Sequence, residues 1–262
     1  MRMDKSKTNL ILTIREGKRI IEAGKLAVKT AEDAIETIQA DEDRSDSYKA
    51  KRTDEIRDNL DHALRELSSA AEVVYTRLDE RLQASLNDFD YGDSDFQKAL
   101  TAISALGKAL PFSMQDQIAS NFRGRPEMLK AIKGVYQANG FSTAAVDEML
   151  SPFESFSLMD MEPLRELVVY SNPVGARATW RANNGVVSML DKLAGVYAVD
   201  TSVNPYEAEI KEIRAGVDDD SYQARRIDNW LAVHGDALAE DSPATCELAD
   251  AMIGEWTEGK QP

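Results

Sequence analysis

The sequence predicts an all-α protein, a long antiparallel helical hairpin followed by a domain of short packed helices. Three observations carry that prediction. Apolar and small residues recur at Leu10, Ile14, Gly17, Ile21, Gly24, Val28, Ala31, Ile35 and Ile38, in steps of four and three without a break, the spacing that keeps one stripe of a helix facing a partner helix. Beyond residue 94 the chain is punctuated by helix starts and stops: Pro126 with Gly140, then Asn172-Pro173, Asn204-Pro205 and Ser242-Pro243. No run alternates apolar and polar residues over strand length between turn signals.

The first helix is expected over 8–40. Its seam holds Gly17, Gly24 and Ala31 one heptad apart. Gly inside a helix costs roughly 1 kcal/mol relative to Ala, so the spacing points to close approach by a neighbour rather than to tolerated defects. The opposite stripe, with Arg15, Lys18, Arg19, Glu22, Lys25, Lys29, Glu32, Asp33 and Glu36, reads as a solvated face. Asp41–Ser47 is charged and carries no apolar residue, so it reads as a turn. A second helix is expected over 48–86, with Ile56, Leu60, Leu64, Leu67, Ala71, Val74, Leu78, Leu82 and Leu86 as its apolar stripe. Arms of ~50–60 Å are longer than a compact domain needs, so the seam from Leu10 to Ile35 is expected to mediate self-association, two hairpins forming a bundle. Residues 1–90 are therefore taken as a self-association hairpin and 91–262 as a globular domain with an acidic C-terminal third.

Asn87–Asp95 reads as a linker. A calcium loop beginning at Asp88 fails, because its sixth position is Asp93 and its twelfth Ala99. Short helices are expected from Ser94 or Asp95 to Gly107, Ser113 to Phe122, 126 to 138, 143 to 150 after a Ser142 cap, Asp160 to Tyr170, and Asp219 or Ser221 to Val233, stopped at Gly235. Leu100, Ile103, Leu106 and Leu110 are expected to form one core face. Ile118, Phe122, Leu129, Ile132, Val135 and Tyr136 supply its partners.

Composition excludes several functions. The single cysteine, Cys246, rules out an internal disulfide and a cysteine-built zinc site. No apolar run is long enough to span a membrane, and no secretory signal opens the chain; a cytoplasmic protein is expected. A net charge of −15 disfavours duplex nucleic acid. No Gly-x-Ser-x-Gly, P-loop, Gly-x-Gly-x-x-Gly or His-Glu-x-x-His occurs. His62 reads as solvated and His234 as a helix C-terminal residue. No enzyme, cofactor or metal is expected.

Charge is uneven along the chain. From Asp200 to Pro262 there are fifteen acids and five bases, and from Phe96 to Phe141 six bases and two acids. The two regions could dock on each other or face separate partners. The basic rim of Phe122, Arg123, Arg125, Lys130 and Lys133 is the candidate partner-binding surface, since Arg beside an aromatic suits recognition of carboxylates, phosphates or a protein.

The turn Ala105-Leu106-Gly107-Lys108-x-Leu110-Pro111 and the helix start Phe122-x-Gly124-x-x-x-x-Leu129-x-x-Ile132 together resemble helical head-region proteins of tailed bacteriophages. The N-terminal hairpin is similar to the dimerising segment of phage scaffolding proteins. The acidic C-terminus departs from their basic coat-binding segment. The resemblance implies a homo-oligomeric, non-enzymatic assembly protein in virion morphogenesis, with capsid or portal proteins as partners. An acidic module that occupies a basic surface of a target protein is the alternative.

Overall fold

The computed structural model describes residues 5–87, 92–156, 161–168, 180 and 184–258. Among these residues the protein is all-α, with no strand. The helices are α1 (Lys5–Ala40), α2 (Asp46–Asn87), α3 (Ser94–Leu106), α4 (Phe112–Ser120), α5 (Pro126–Asn139), α6 (Ala144–Ser155), α7 (Glu162–Val168), α8 (Asn184–Val196), α9 (Pro205–Ala215), α10 (Tyr222–Ala239) and α11 (Pro243–Glu258). A single 3-10 turn, Gly107–Ala109, follows α3. The expected starts at Asp160 and Asn172-Pro173 lie outside the described residues, as do residues 88–91 of the Asn87–Asp95 linker.

The chain forms two compact units, one of residues 1–16 with 199–262 and one of residues 17–198. This division differs from a boundary at residue 90. Residues on both sides of position 90 fall in the same unit, where α2 packs on α5 and α7.

In the unit of residues 17–198, α1 and α2 form the hairpin, closed at its turn by Gln39 Nε2 donating to Thr53 Oγ1 (3.0 Å) and Lys49 Nζ donating to the Gln39 carbonyl (3.0 Å). Ile21, Val28 and Ala31 of α1 and Leu60, Leu64, Ala71, Val74 and Leu78 of α2 are buried. α2 also packs on α5 and α7. A second core gathers Phe96, Ile103, Leu110, Ile118, Phe122, Leu129, Ile132, Tyr136, Val146 and Leu150 from α3 to α6. Leu106 is not part of it and is exposed. Gly107, at φ +48°, ends α3 after Leu106, and the tighter 3-10 turn rotates the chain out of the helical register. A buried polar staple ties α4 to α5. Gln115 Nε2 donates to the Leu110 carbonyl (3.0 Å), and Tyr136 Oη donates to the Gln115 carbonyl (2.6 Å). Burial pushes the Tyr136 phenol up to about 12.

In the unit of residues 1–16 and 199–262, α9, α10 and α11 pack against one another around Ile210, Ile227, Leu238, Ala249, Ile253 and Trp256, joined by Leu12 of α1. α10 does not stop at Gly235. It continues to Ala239, and Asp241 takes a left-handed φ of +53° beyond it. His234 is therefore inside the helix, its ring centroid 4.9 Å from that of Trp230 with the planes tilted by 40°. Arg15 is not solvated either. Its Nε donates to both oxygens of Asp241 (3.0 and 2.8 Å), its Nη1 to the Thr201 carbonyl (3.0 Å) and its Nη2 to the Ala239 carbonyl (2.9 Å). Asn204, fully buried, caps α9 through the Tyr206 and Glu207 amides and donates to Asp241 Oδ1 (2.5 Å). These bonds satisfy the orphan backbone groups at two helix ends at once.

Candidate protein-binding surface

The turn after α4 is built by Phe122, Arg123, Gly124 and Arg125. Gly124 stands at φ +83°, and a Cβ there would overlap the carbonyl oxygen of Tyr197. Only Gly satisfies both conditions, so the turn geometry is fixed. Phe122, 1% exposed, points into the core, where its ring meets Phe96 edge-on at 6.3 Å. The expectation that Phe122 lines a partner surface is therefore corrected.

Arg125 is also committed inside the unit. Its Nη2 donates to Asp93 Oδ2 at 2.7 Å, its Nε lies 3.7 Å from Glu127 Oε1, and its guanidinium sits 5.8 Å from the Phe122 ring centroid. Asp93 in turn accepts from the Asp95 and Phe96 amides as the N-cap of α3. One carboxylate thus caps a helix and anchors the arginine that opens α5. Burial pushes the Asp93 carboxyl up, but the Phe96 amide and the Arg125 guanidinium outweigh it and hold the group below its ordinary range. Burial raises Glu127, against the pull of Arg125 and Arg81. Lys133 pairs with Asp147 at 2.7 Å. The hydrogen bond to Asp147 raises the Lys133 ammonium, and the same bond lowers Asp147, which also accepts from Thr143 Oγ1 (2.8 Å). Arg125 and Lys133 are answered by acids of the same unit, so neither needs the acidic C-terminal third as a counter-charge. Arg123 and Lys130 remain exposed.

The self-association seam is filled from within the chain. Leu10, Ile14, Ile21, Val28 and Ala31 are buried, and Ile35 is half-buried. A methyl group at Gly17 would meet Leu190 Cδ1 at 3.0 Å and Val74 Cγ1 at 3.3 Å. At Gly24 it would overlap the ring of Trp180, itself 1% exposed. The small residues do admit a close neighbour, but at Gly24 that neighbour is an indole from far along the chain. None of these buried side chains offers a surface to a second copy.

The apolar surface that is offered lies elsewhere. Leu106, Phe112 and Met114 are all exposed within nine residues, Phe112 to 61%. They surround the 3-10 turn and the first turn of α4, with Lys108 between them, and no acid occurs between Asp95 and Asp116. Periodicity assigned Leu106 to the core; the signal that would have freed it is Gly107, which ends the helix one residue later. Exposed apolar residues grouped this way mark an interaction site more often than scattered ones do.

No group of three or more His, Cys, Asp and Glu among the described residues could hold a metal ion, and none of their helices is long and apolar enough to cross a membrane. His62 lies on the exposed face of α2, 3.5 Å from Glu66. Comparison with protein-family models, with characterised proteins and with solved structures gave no match.

Proposed function

We propose that this chain is a non-enzymatic assembly protein that binds other proteins and its own copies, and that copies meet at the α3–α4 corner. The observation that carries it is the exposed trio Leu106, Phe112 and Met114 in a stretch without acids. For a chain of net charge −15, self-repulsion opposes every encounter between copies. That repulsion is smallest where apolar side chains lie in a locally cationic stretch. The test is sedimentation velocity of the full chain across a concentration series. Self-association is expected, and the double substitution Phe112→Ser with Met114→Ser is expected to shift it toward monomer at unchanged helicity. A chain that stays monomeric at tens of micromolar overturns the reading. The virion-morphogenesis form of the role, with capsid or portal partners, is supported by the sequence resemblance alone.

A second reading, an acidic module that occupies a basic surface of a target, is supported by the charge of the C-terminal helices. Residues 227–258 contain no Lys or Arg and eight acids.

A further inference from the structure

We infer that the outer face of α10 and α11 is a docking surface for a basic, amphipathic helical segment of another protein. The inference rests on reading the C-terminal third as an acidic module, and gives that module a location and an occupant class.

The two helices run antiparallel. Arg226 Nη2 meets Glu255 Oε1 at 2.7 Å, Gln223 Nε2 donates to the Trp256 carbonyl at 3.2 Å, and Trp230 lies 6.0 Å from Trp256. Seven residues along a helix return to nearly the same face, with a drift of about 20°. Moving seven residues from Arg226 along α10, and seven back from Glu255 along α11, reaches Val233 and Leu248. These two therefore stand at one level on neighbouring stripes of the same face. Both are exposed, Val233 to 75%. Tyr222, 78% exposed, begins the α10 stripe four residues before Arg226. Small exposed residues, Ala232, Ala244 and Ala251, leave the backbone between them accessible.

Charge selects the occupant. Asp236 and Glu240 follow Val233, and Glu247 precedes Leu248; all three are exposed. The two arginines at the far end are engaged, Arg226 by Glu255 and Arg225 by the Asp220 carbonyl. Around Val233 and Leu248 the neighbouring exposed charges are carboxylates, while Arg225 and Arg226 flank the Tyr222 end; the acidic end repels a second copy of this acidic unit and repels nucleic acid. It complements a helix that presents Leu-like side chains on one face with Lys or Arg beside them.

The experiment titrates the full chain calorimetrically with a four-turn amphipathic helix of Leu and Lys, and with an oligolysine of equal charge. The amphipathic helix is expected to bind at least about tenfold more tightly than the oligolysine. Val233→Ser with Leu248→Ser should weaken it about tenfold, since both side chains are exposed and their loss leaves the core intact. Asp236→Asn with Glu247→Gln should weaken it and flatten its salt dependence. Phe112→Ser with Met114→Ser should leave it unchanged, which separates this surface from the α3–α4 corner. Equal binding of the two peptides, full binding by the serine variant, or no binding overturns the inference.

Discussion

At Gly24 the missing Cβ is what lets the Trp180 indole lie against α1. Gly24→Ala is therefore expected to destabilise the protein by about 1–3 kcal/mol through overpacking, even though Ala is the better helix former by roughly 1 kcal/mol. Gly17→Ala is the internal comparison. There the nearest atoms are methyl ends of Leu190 and Val74 at 3.0 and 3.3 Å, which can give way, so the gain in propensity offsets the contact and urea midpoints should barely move. A Gly24→Ala protein as stable as the parent removes the packing role of that position. Arg15 makes the opposite kind of contribution. Its Asp241 partner has a side chain only 5% exposed, so Arg15→Met takes the cationic partner away from a buried carboxylate. A loss of about 3–5 kcal/mol is expected, the range for breaking one half of a buried pair, read from the same unfolding curves. That Gly24 accepts a close neighbour is legible in its heptad phase. Its occupant is not, because periodicity reports which face is covered and says nothing of a ring 156 positions away. Arg15 misled for a related reason: charge on the far stripe of a long helix reads as solvated until another element closes over it.

Helix ends were the most legible feature because their chemistry is local. Pro126 at the first position of α5 and Gly140 at φ +72° beyond it, and Asn204-Pro205 opening α9, stand where turn and cap rules place them. Where a cap depends on a contact further away, the reading slips. α3 is capped by Asp93 rather than Ser94 or Asp95, because Asp93 is the residue that Arg125 holds. α10 runs through Gly235, whose missing side chain nothing nearby replaces, since the packing of Leu238 outweighs the propensity cost of one Gly. The shared cap makes a prediction about pH. The folded state holds the Asp93 carboxyl below its ordinary value of about 3.9, so it binds the proton less readily than the unfolded chain. The stability this supplies is present above that ordinary value and is lost as pH falls through the lower folded value. Asp93→Asn keeps a good cap but cannot ionise. Urea midpoints of the parent should fall more steeply than those of Asp93→Asn as the solution is acidified below pH about 4; parallel curves would show that the Arg125 contact contributes nothing.

Across the whole chain the two compact units do not follow the change of style near residue 90. The acid-rich stretch between α2 and α3 reads as a domain linker, yet α2 packs on α5 and α7 within one unit, and the other unit takes its Leu12 and Arg15 from the first turns of α1. Composition registers where the chain becomes polar, whereas a domain is defined by which apolar faces close on which. A cut at residue 90 therefore keeps the side chains of the α3–α6 core together but strips away the helix that packs on α5 and α7. Fragment 91–262 would lack the stripe of α2 that covers α5 and α7, and its C-terminal helices would lack Leu12 and the Arg15 clamp on Asp241. It is expected to be loosely packed, with poor dispersion in its amide spectrum. Removing only residues 1–16 is the sharper test. The unit of 17–198 keeps its two cores and should remain resistant to protease. The sequence from 199 to 258 should become the preferred site of cleavage, and Trp230 and Trp256 should lose their near-ultraviolet dichroism. Protection that persists in 199–258 after this truncation would mean that α9, α10 and α11 close a core of their own and that the α1 contacts merely decorate it.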